Sequence, residues 1–183
     1  MSQKLTMRER LIVPAYLLAA IFFTGTCPTR ATAEDWVQFR HDLSNTGKSG
    51  ETTISSANVA SLKVKWKTYF GGTGSTPAVV TVNGTSTVFI PTNTGAIYAI
   101  NAVTGAVIWN QQLPSSVTEV YSSPAVANNI LYIGANDGRL YAMNATTHAI
   151  LWSYPSSPQA YSEVYSEPFV YNGVVYFWDC LAG

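Results

Sequence analysis

The sequence predicts an all-β chain folded as a β-propeller of four-stranded blades. One observation is a repeat of 43 residues. Gly95-Ala-Ile-Tyr98-Ala-Ile-Asn101-Ala-Val-Thr-Gly105-Ala-Val-Ile-Trp109 returns as Gly138-Arg-Leu-Tyr141-Ala-Met-Asn144-Ala-Thr-Thr-His148-Ala-Ile-Leu-Trp152. A second is tryptophan on that period, at Trp66, Trp109 and Trp152. The third is a fixed order of short β-rich runs and Asn/Gly turns, with no helical apolar period after residue 34. A period near 43 residues built of short alternating runs marks propeller blades rather than helical repeats.

Each unit begins with Ser-x-Pro, at Ser75-Thr-Pro77, Ser122-Ser-Pro124 and Ser166-Glu-Pro168. Proline is tolerated where a strand starts, because a missing N–H costs little there. A first apolar run follows, Ala78 to Val82, Ala125 to Ala127 and Phe169 to Tyr171. Asn83-Gly84, Asn128-Asn129 and Asn172-Gly173 then supply the positive φ of a two-residue hairpin turn. The second run is Thr87 to Ile90, Ile130 to Ile133 and Val174 to Trp178. A further turn at Asn93-Thr-Gly95 or Asn136-Asp-Gly138 leads to the Tyr-bearing third strand and the Trp-bearing fourth. Trp66, Trp109 and Trp152 read either as core aromatics of an outer strand or as docking residues that pin one blade to the next; the period favours docking.

The start of the chain reads as a signal peptide over residues 1–33. Lys4, Arg8 and Arg10 precede the uncharged stretch Leu11 to Phe23, and Ala31-Thr-Ala33 forms a small-x-small cleavage site. The rival reading, an uncleaved anchor, needs about 20 apolar residues. Cleavage leaves six Lys+Arg against nine Asp+Glu, a mildly acidic exported chain without the basic surface of a nucleic-acid binder and with no membrane partner of its own. Only Cys180 remains, so no disulfide forms within it. Asn83-Gly-Thr and Asn144-Ala-Thr match the glycosylation pattern.

The units do not sum to a closed ring. The expected organisation is a lead-in segment over 34–61, then an incomplete propeller over 62–183. Within it lie an orphan outer strand at 62–70, blades at 75–112 and 122–154, and a partial blade at 166–183. Propellers generally need four to eight blades. The chain is therefore expected to be the N-terminal part of a longer protein, with its missing blades as partners.

The pattern Tyr98-Ala-Ile-Asn101-Ala-Val-Thr-Gly105-x-x-x-Trp109 resembles the tryptophan-docking repeat of pyrroloquinoline quinone (PQQ) propellers, although that repeat usually has Asp at the places of Asn101 and Asn144. Trp36-Val-Gln-Phe-Arg40-His-Asp42-Leu-Ser-Asn45-Thr-Gly47 and Ile54 to Trp66 resemble the start of polyvinyl-alcohol-dehydrogenase-like proteins. The resemblance implies either a binding or scaffold propeller, or a PQQ- and calcium-dependent alcohol dehydrogenase acting on a small-molecule alcohol. A sensor module is the third reading. Many enzymes of this group carry adjacent cysteines, and some a haem motif; neither occurs in this sequence.

Candidate site residues come from a second repeat, Glu119-Val-Tyr121-Ser122-Ser-Pro124 and Glu163-Val-Tyr165-Ser166-Glu167-Pro168. Both copies lie where the chain enters an innermost strand, at the channel mouth. Carboxylates there suit Ca²⁺ or a polar ligand, and tyrosines suit a flat cofactor. The bland alternative is that they solvate and pack interblade loops. The first unit carries Gly72-Thr-Gly74 instead, so the fold itself does not require them. No zinc spacing, phosphate loop or nucleophile elbow is present, and His41 and His148 read as surface or turn residues.

Overall fold

The structure, a computed structural model, describes residues 34–160 and 162–181. The expected signal peptide at 1–33 lies outside the described residues. β1 (Ala78–Val82), β2 (Thr85–Pro91), β3 (Ala96–Asn101) and β4 (Val107–Gln112) form one antiparallel meander. β5 (Ala125–Ala127), β6 (Ile130–Gly134), β7 (Leu140–Asn144) and β8 (Ile150–Tyr154) form a second. In the third unit β9 (Ser162–Glu163) pairs with β12 (Cys180–Leu181), and β10 (Phe169–Tyr171) pairs with β11 (Val174–Tyr176). β5 lies between β1 and β10, so the first strand of each unit stands beside the next. The all-β propeller architecture, with two full blades and a partial one, is as predicted.

The turns follow from their residues. Asn83 and Gly84, Asn128 and Asn129, and Asn172 and Gly173 all have positive φ. They close two-residue hairpins between Val82 and Thr85, Ala127 and Ile130, and Tyr171 and Val174. Asn101 Oδ1 accepts from the N–H groups of Val103 and Thr104, and Asn144 Oδ1 does the same for Thr146 and Thr147. Both ladders slip by one residue at the same repeat position, between Ala99 and Ile100 and between Ala142 and Met143. Just before each slip Trp109 stands opposite Ala99 and Trp152 opposite Ala142.

Strands β6 and β7 bury both faces. Leu131, Ile133, Tyr141 and Met143 pack with Phe89, Ile97 and Ala99 of the first blade. Tyr132, Leu140 and Ala142 alternate with them and pack with Val170, Val175 and Phe177 of the third unit. Period-two alternation between two apolar neighbours explains why these strands read as continuous apolar runs.

Two expectations need correction. Residues 62–70 carry no strand ladder; they lie on the first blade through side chains, with Trp66 Nε1 donating to Ala102 O at 2.9 Å and Thr68 Oγ1 to Gly105 O at 2.6 Å. A strand needs a neighbour for its backbone groups, and no described strand pairs with this segment. The run Val174 to Trp178 is a strand only to Tyr176, opposite Phe169; β2 and β6 run two residues past the corresponding pair because they also pair with a third strand, which β11 lacks among the described residues. Ser166 Oγ closes that end, accepting from Trp178 N at 3.0 Å and donating to Trp178 O at 2.8 Å.

Candidate functional site

The loops after β2 and before β5 and β9 meet on one face. Asn136, in the turn after β6, accepts from the N–H groups of Thr118 and Glu119 through Oδ1, and its own N–H donates to Glu119 O. Val164 N donates to Ala135 O, and Gln159 N to Asp137 O. The turn at 135–139 therefore sits between the two loops that carry the predicted residues. The first blade repeats this with Asn93, whose N–H donates to Gly72 O.

Four of the five predicted residues come together. The rings of Tyr121 and Tyr165 meet edge to face, with centroids 5.4 Å apart at 83°. Tyr121 also lies over Gly74, where an added Cβ would come within 2.9 Å of its Cδ1. The positions just before each Ser-x-Pro, Gly74, Tyr121 and Tyr165, thus touch in sequence. Burial pushes the Tyr165 hydroxyl up to about 12, helped by the carboxylates of Glu163 and Glu119 and by Tyr121. Both Glu119 and Glu163 thus act electrostatically on one phenol. Glu167 is apart from them: it borders a separate cleft of about 250 Å³ with Gln38, Phe39, Asn45 and Trp178.

The three tryptophans differ. Trp109 Nε1 donates to Ala145 O at 3.2 Å, as Trp66 does to Ala102 O, in each case 36 residues ahead. Trp152 packs on Tyr132 as Trp109 packs on Phe89, and it is 42% exposed. His148 shields Trp109 at 5.6 Å and bonds Gln111 through Nδ1. His41 lies 3.3 Å from a Glu34 carboxylate oxygen and beside Trp36.

Sequence reasoning missed a buried polar network at the 135–139 turn. Asp137 Oδ2 accepts from Arg139 Nε at 2.8 Å, Arg139 Nη2 at 2.6 Å, Tyr141 Oη at 2.7 Å and Ser116 Oγ at 2.8 Å. Asp137 and Arg139 are only 6% and 8% exposed. The guanidinium also stacks 4.8 Å from the Tyr141 ring. Burial, then the Asp137 contact, raises the Tyr141 hydroxyl far above its ordinary value. The available signal was the comparison of repeats: Thr94-Gly-Ala96 in the first blade becomes Asp137-Gly-Arg139 in the second.

These loops do not by themselves make a quinone seat. A planar cofactor bearing carboxylates needs positive donors and a flat slot. Tyr121 and Tyr165 stand perpendicular, and the Arg139 guanidinium is already engaged by Asp137. Among the described residues no group of three or more His, Cys, Asp or Glu side chains is placed to hold a metal ion. Glu119 and Glu163 offer oxygens of the kind calcium takes, without a third ligand.

Repeated four-stranded meanders, interlocked by tryptophans at a fixed offset, define a PQQ-repeat propeller. A family profile described as outer membrane protein assembly factor BamB matches residues 48–179, and the chain belongs to that family. Among solved structures, quinohemoprotein alcohol dehydrogenase ADHIIG from Pseudomonas putida HK5 is similar with 24% identity and a TM-score of 0.68, over 80% of this chain and 23% of that one. Quinohemoprotein alcohol dehydrogenase from Comamonas testosteroni is similar with 25% identity and a TM-score of 0.67, over 82% and 24%. A europium-containing methanol dehydrogenase is similar with 21% identity and a TM-score of 0.66, over 82% and 28%. The chain spans about a quarter of the length of these structures. No curated protein matches it significantly.

Proposed function

We propose that this chain is an exported propeller-type binding module that contacts its ligand or protein partner through the channel mouth. The observation that carries the reading is the rim itself. Tyr121 and Tyr165 meet edge to face, and the Glu163 and Glu119 carboxylates act on the Tyr165 phenol, at positions where the first blade uses Gly72-Thr-Gly74. Carboxylates and phenol oxygens make this an acceptor-rich, negative surface, suited to a partner that presents N–H donors or positive charge. Trp66 and Trp109 act as docking residues that hold the blades, and so the rim loops, in register; Trp152 offers the same group at the third unit.

The second reading is a PQQ- and calcium-dependent alcohol dehydrogenase. The fold likeness to the Comamonas testosteroni quinohemoprotein alcohol dehydrogenase favours it. Titrating PQQ with calcium into the full chain separates the two. The binding-module reading expects no saturable binding. Saturable binding that is lost in Glu119→Ala and Glu163→Ala would establish the quinone site instead.

A further inference from the structure

A cleft lies where the lead-in segment crosses the inner strands. Its main cavity, about 670 Å³, has Glu34, Asp35, Gln38 and Asp42 among its polar residues and Val126 and Val170 among its apolar ones. A cavity of about 500 Å³ shares Asp35, Val37, Val126 and Ala127 with it and continues to the hairpin turn at Asn128 and Asn129. Three carboxylates line the main cavity, and no lysine or arginine does. His41 stands between two of them, with Nε2 3.3 Å from Glu34 Oε1 and Nδ1 3.6 Å from Asp42 Oδ2. Even a protonated His41 leaves the carboxylates in excess. Gln38 is only 7% exposed, yet its side-chain amide has no hydrogen-bond partner among the described residues. Buried amides are normally bonded, so an unpaired one on a cavity wall marks a place for a polar group from outside. Asp35 is half committed. Its Oδ1 accepts from Thr81 N at 2.9 Å and Thr81 Oγ1 at 3.0 Å, while Oδ2 has no partner among the described residues.

We propose that this cleft is a seat for a linear aliphatic diamine. Its ammonium groups meet the carboxylates and the Gln38 amide oxygen, and its methylenes lie on Val126, Ala127 and Val170. An ammonium is donor-only, so it suits a wall whose free groups are acceptors. A metal ion is the wrong cation. Among the described residues no three His, Cys, Asp or Glu side chains are placed to hold one. Carboxylates spread along an apolar wall suit a cation whose own charges are separated by methylenes. An anion would meet three like charges, and a neutral ligand would leave them uncompensated. An extended ligand also fits the shape, because Asp35 belongs to both cavities and joins them. The seat shares no residue with the rim of Glu119, Tyr121, Glu163 and Tyr165, and it stands without that reading.

The test titrates 1,4-diaminobutane into the full chain at low salt, by calorimetry and at the Trp36 indole signal, since Trp36 packs 4.9 Å from the His41 ring. One-to-one saturable binding is expected, with butylamine at least about tenfold weaker because it brings one charge. Gln38→Leu and Asp35→Asn should each weaken the diamine about tenfold. Asp35→Asn keeps an acceptor for Thr81, and melting curves check that both variants fold. Glu119→Gln/Glu163→Gln should leave diamine binding unchanged. Equal binding by the Gln38→Leu and Asp35→Asn variants would overturn the proposal. So would loss of binding in the Glu119→Gln/Glu163→Gln variant, or displacement of the diamine by an equal concentration of magnesium chloride. Trilysine that shifts Trp36 at lower concentration than the diamine would give the cleft to a peptide's lysines and overturn the assignment to a free diamine.

Discussion

Asn101 and Asn144 show how a single side chain sets a turn. The repeat usually has Asp there, yet the amide oxygen alone accepts both turn N–H groups. Asn144→Asp should therefore melt within a few degrees of the parent, whereas Asn144→Ala should cost about 1–2 kcal/mol by thermal denaturation. Ser122 and Ser166 are equally local in effect. Ser122 Oγ accepts from Gly134 N at 3.2 Å as Ser166 Oγ does from Trp178 N. Pro91 holds the matching place in the first blade and has no N–H, so Ser75 turns to Thr73 instead. At the rim, Tyr165 ionises near 12 rather than 10.0. The folded state then keeps a proton that the unfolded state releases, so this contribution to stability is complete below pH 10 and fades as pH rises toward 12. Glu163→Gln should bring the Tyr165 titration down, read by tyrosine ring ¹³C shifts. An unchanged midpoint would remove Glu163 from the rim.

At the scale of elements, the turn at 135–139 is the piece most specific to this chain. It joins the loop before β5 to the loop before β9 and carries a buried ion pair. Removing one partner of such a pair leaves an uncompensated charge, so Arg139→Ala should cost about 3–5 kcal/mol. Replacing both residues by their first-blade counterparts, Asp137→Thr with Arg139→Ala, should cost less than that single change. Denaturant unfolding of the two variants checks the order. The eight strands of the complete blades and their hairpin turns were legible, because Asn/Gly pairs and two-residue alternation are local signals. The Asp137 network was not, since Asp-Gly reads as a turn whatever the aspartate side chain bonds. The loss of strand at 62–70 was not legible either. Whether a β-rich segment becomes a strand depends on a neighbour that local pattern cannot reveal.

At the scale of the described molecule, the lead-in segment organises the inner strands. Trp36 exchanges backbone hydrogen bonds with Val79, at 2.6 and 2.8 Å, and Val126 N donates to Val37 O at 2.9 Å. Asp35 accepts from Thr81. This crossing of β1 and β5 had no sequence signal, because residues 34–50 are polar and lack β alternation. The segment is clipped by exposed carboxylates. The Gly50 N–H and Ser49 hydroxyl hold Glu34 below its ordinary 4.5, and Thr46 holds Asp42 below 3.8. Their contribution is present above those ordinary values and is lost as pH falls through the lowered ones. Trp36 fluorescence should thus change on acidification below about pH 4 before the blades melt, by the same linkage. The proposed binding role depends on the rim of Glu119, Tyr121, Glu163 and Tyr165. The most direct measurement is a low-salt titration of trilysine into the full chain, observed at the Tyr121 and Tyr165 ring signals and repeated with Glu119→Gln/Glu163→Gln. Binding at the rim should give saturable shifts of both rings that vanish in the double variant. Shifts that persist without the two carboxylates, or that never reach Tyr121 and Tyr165, would contradict it.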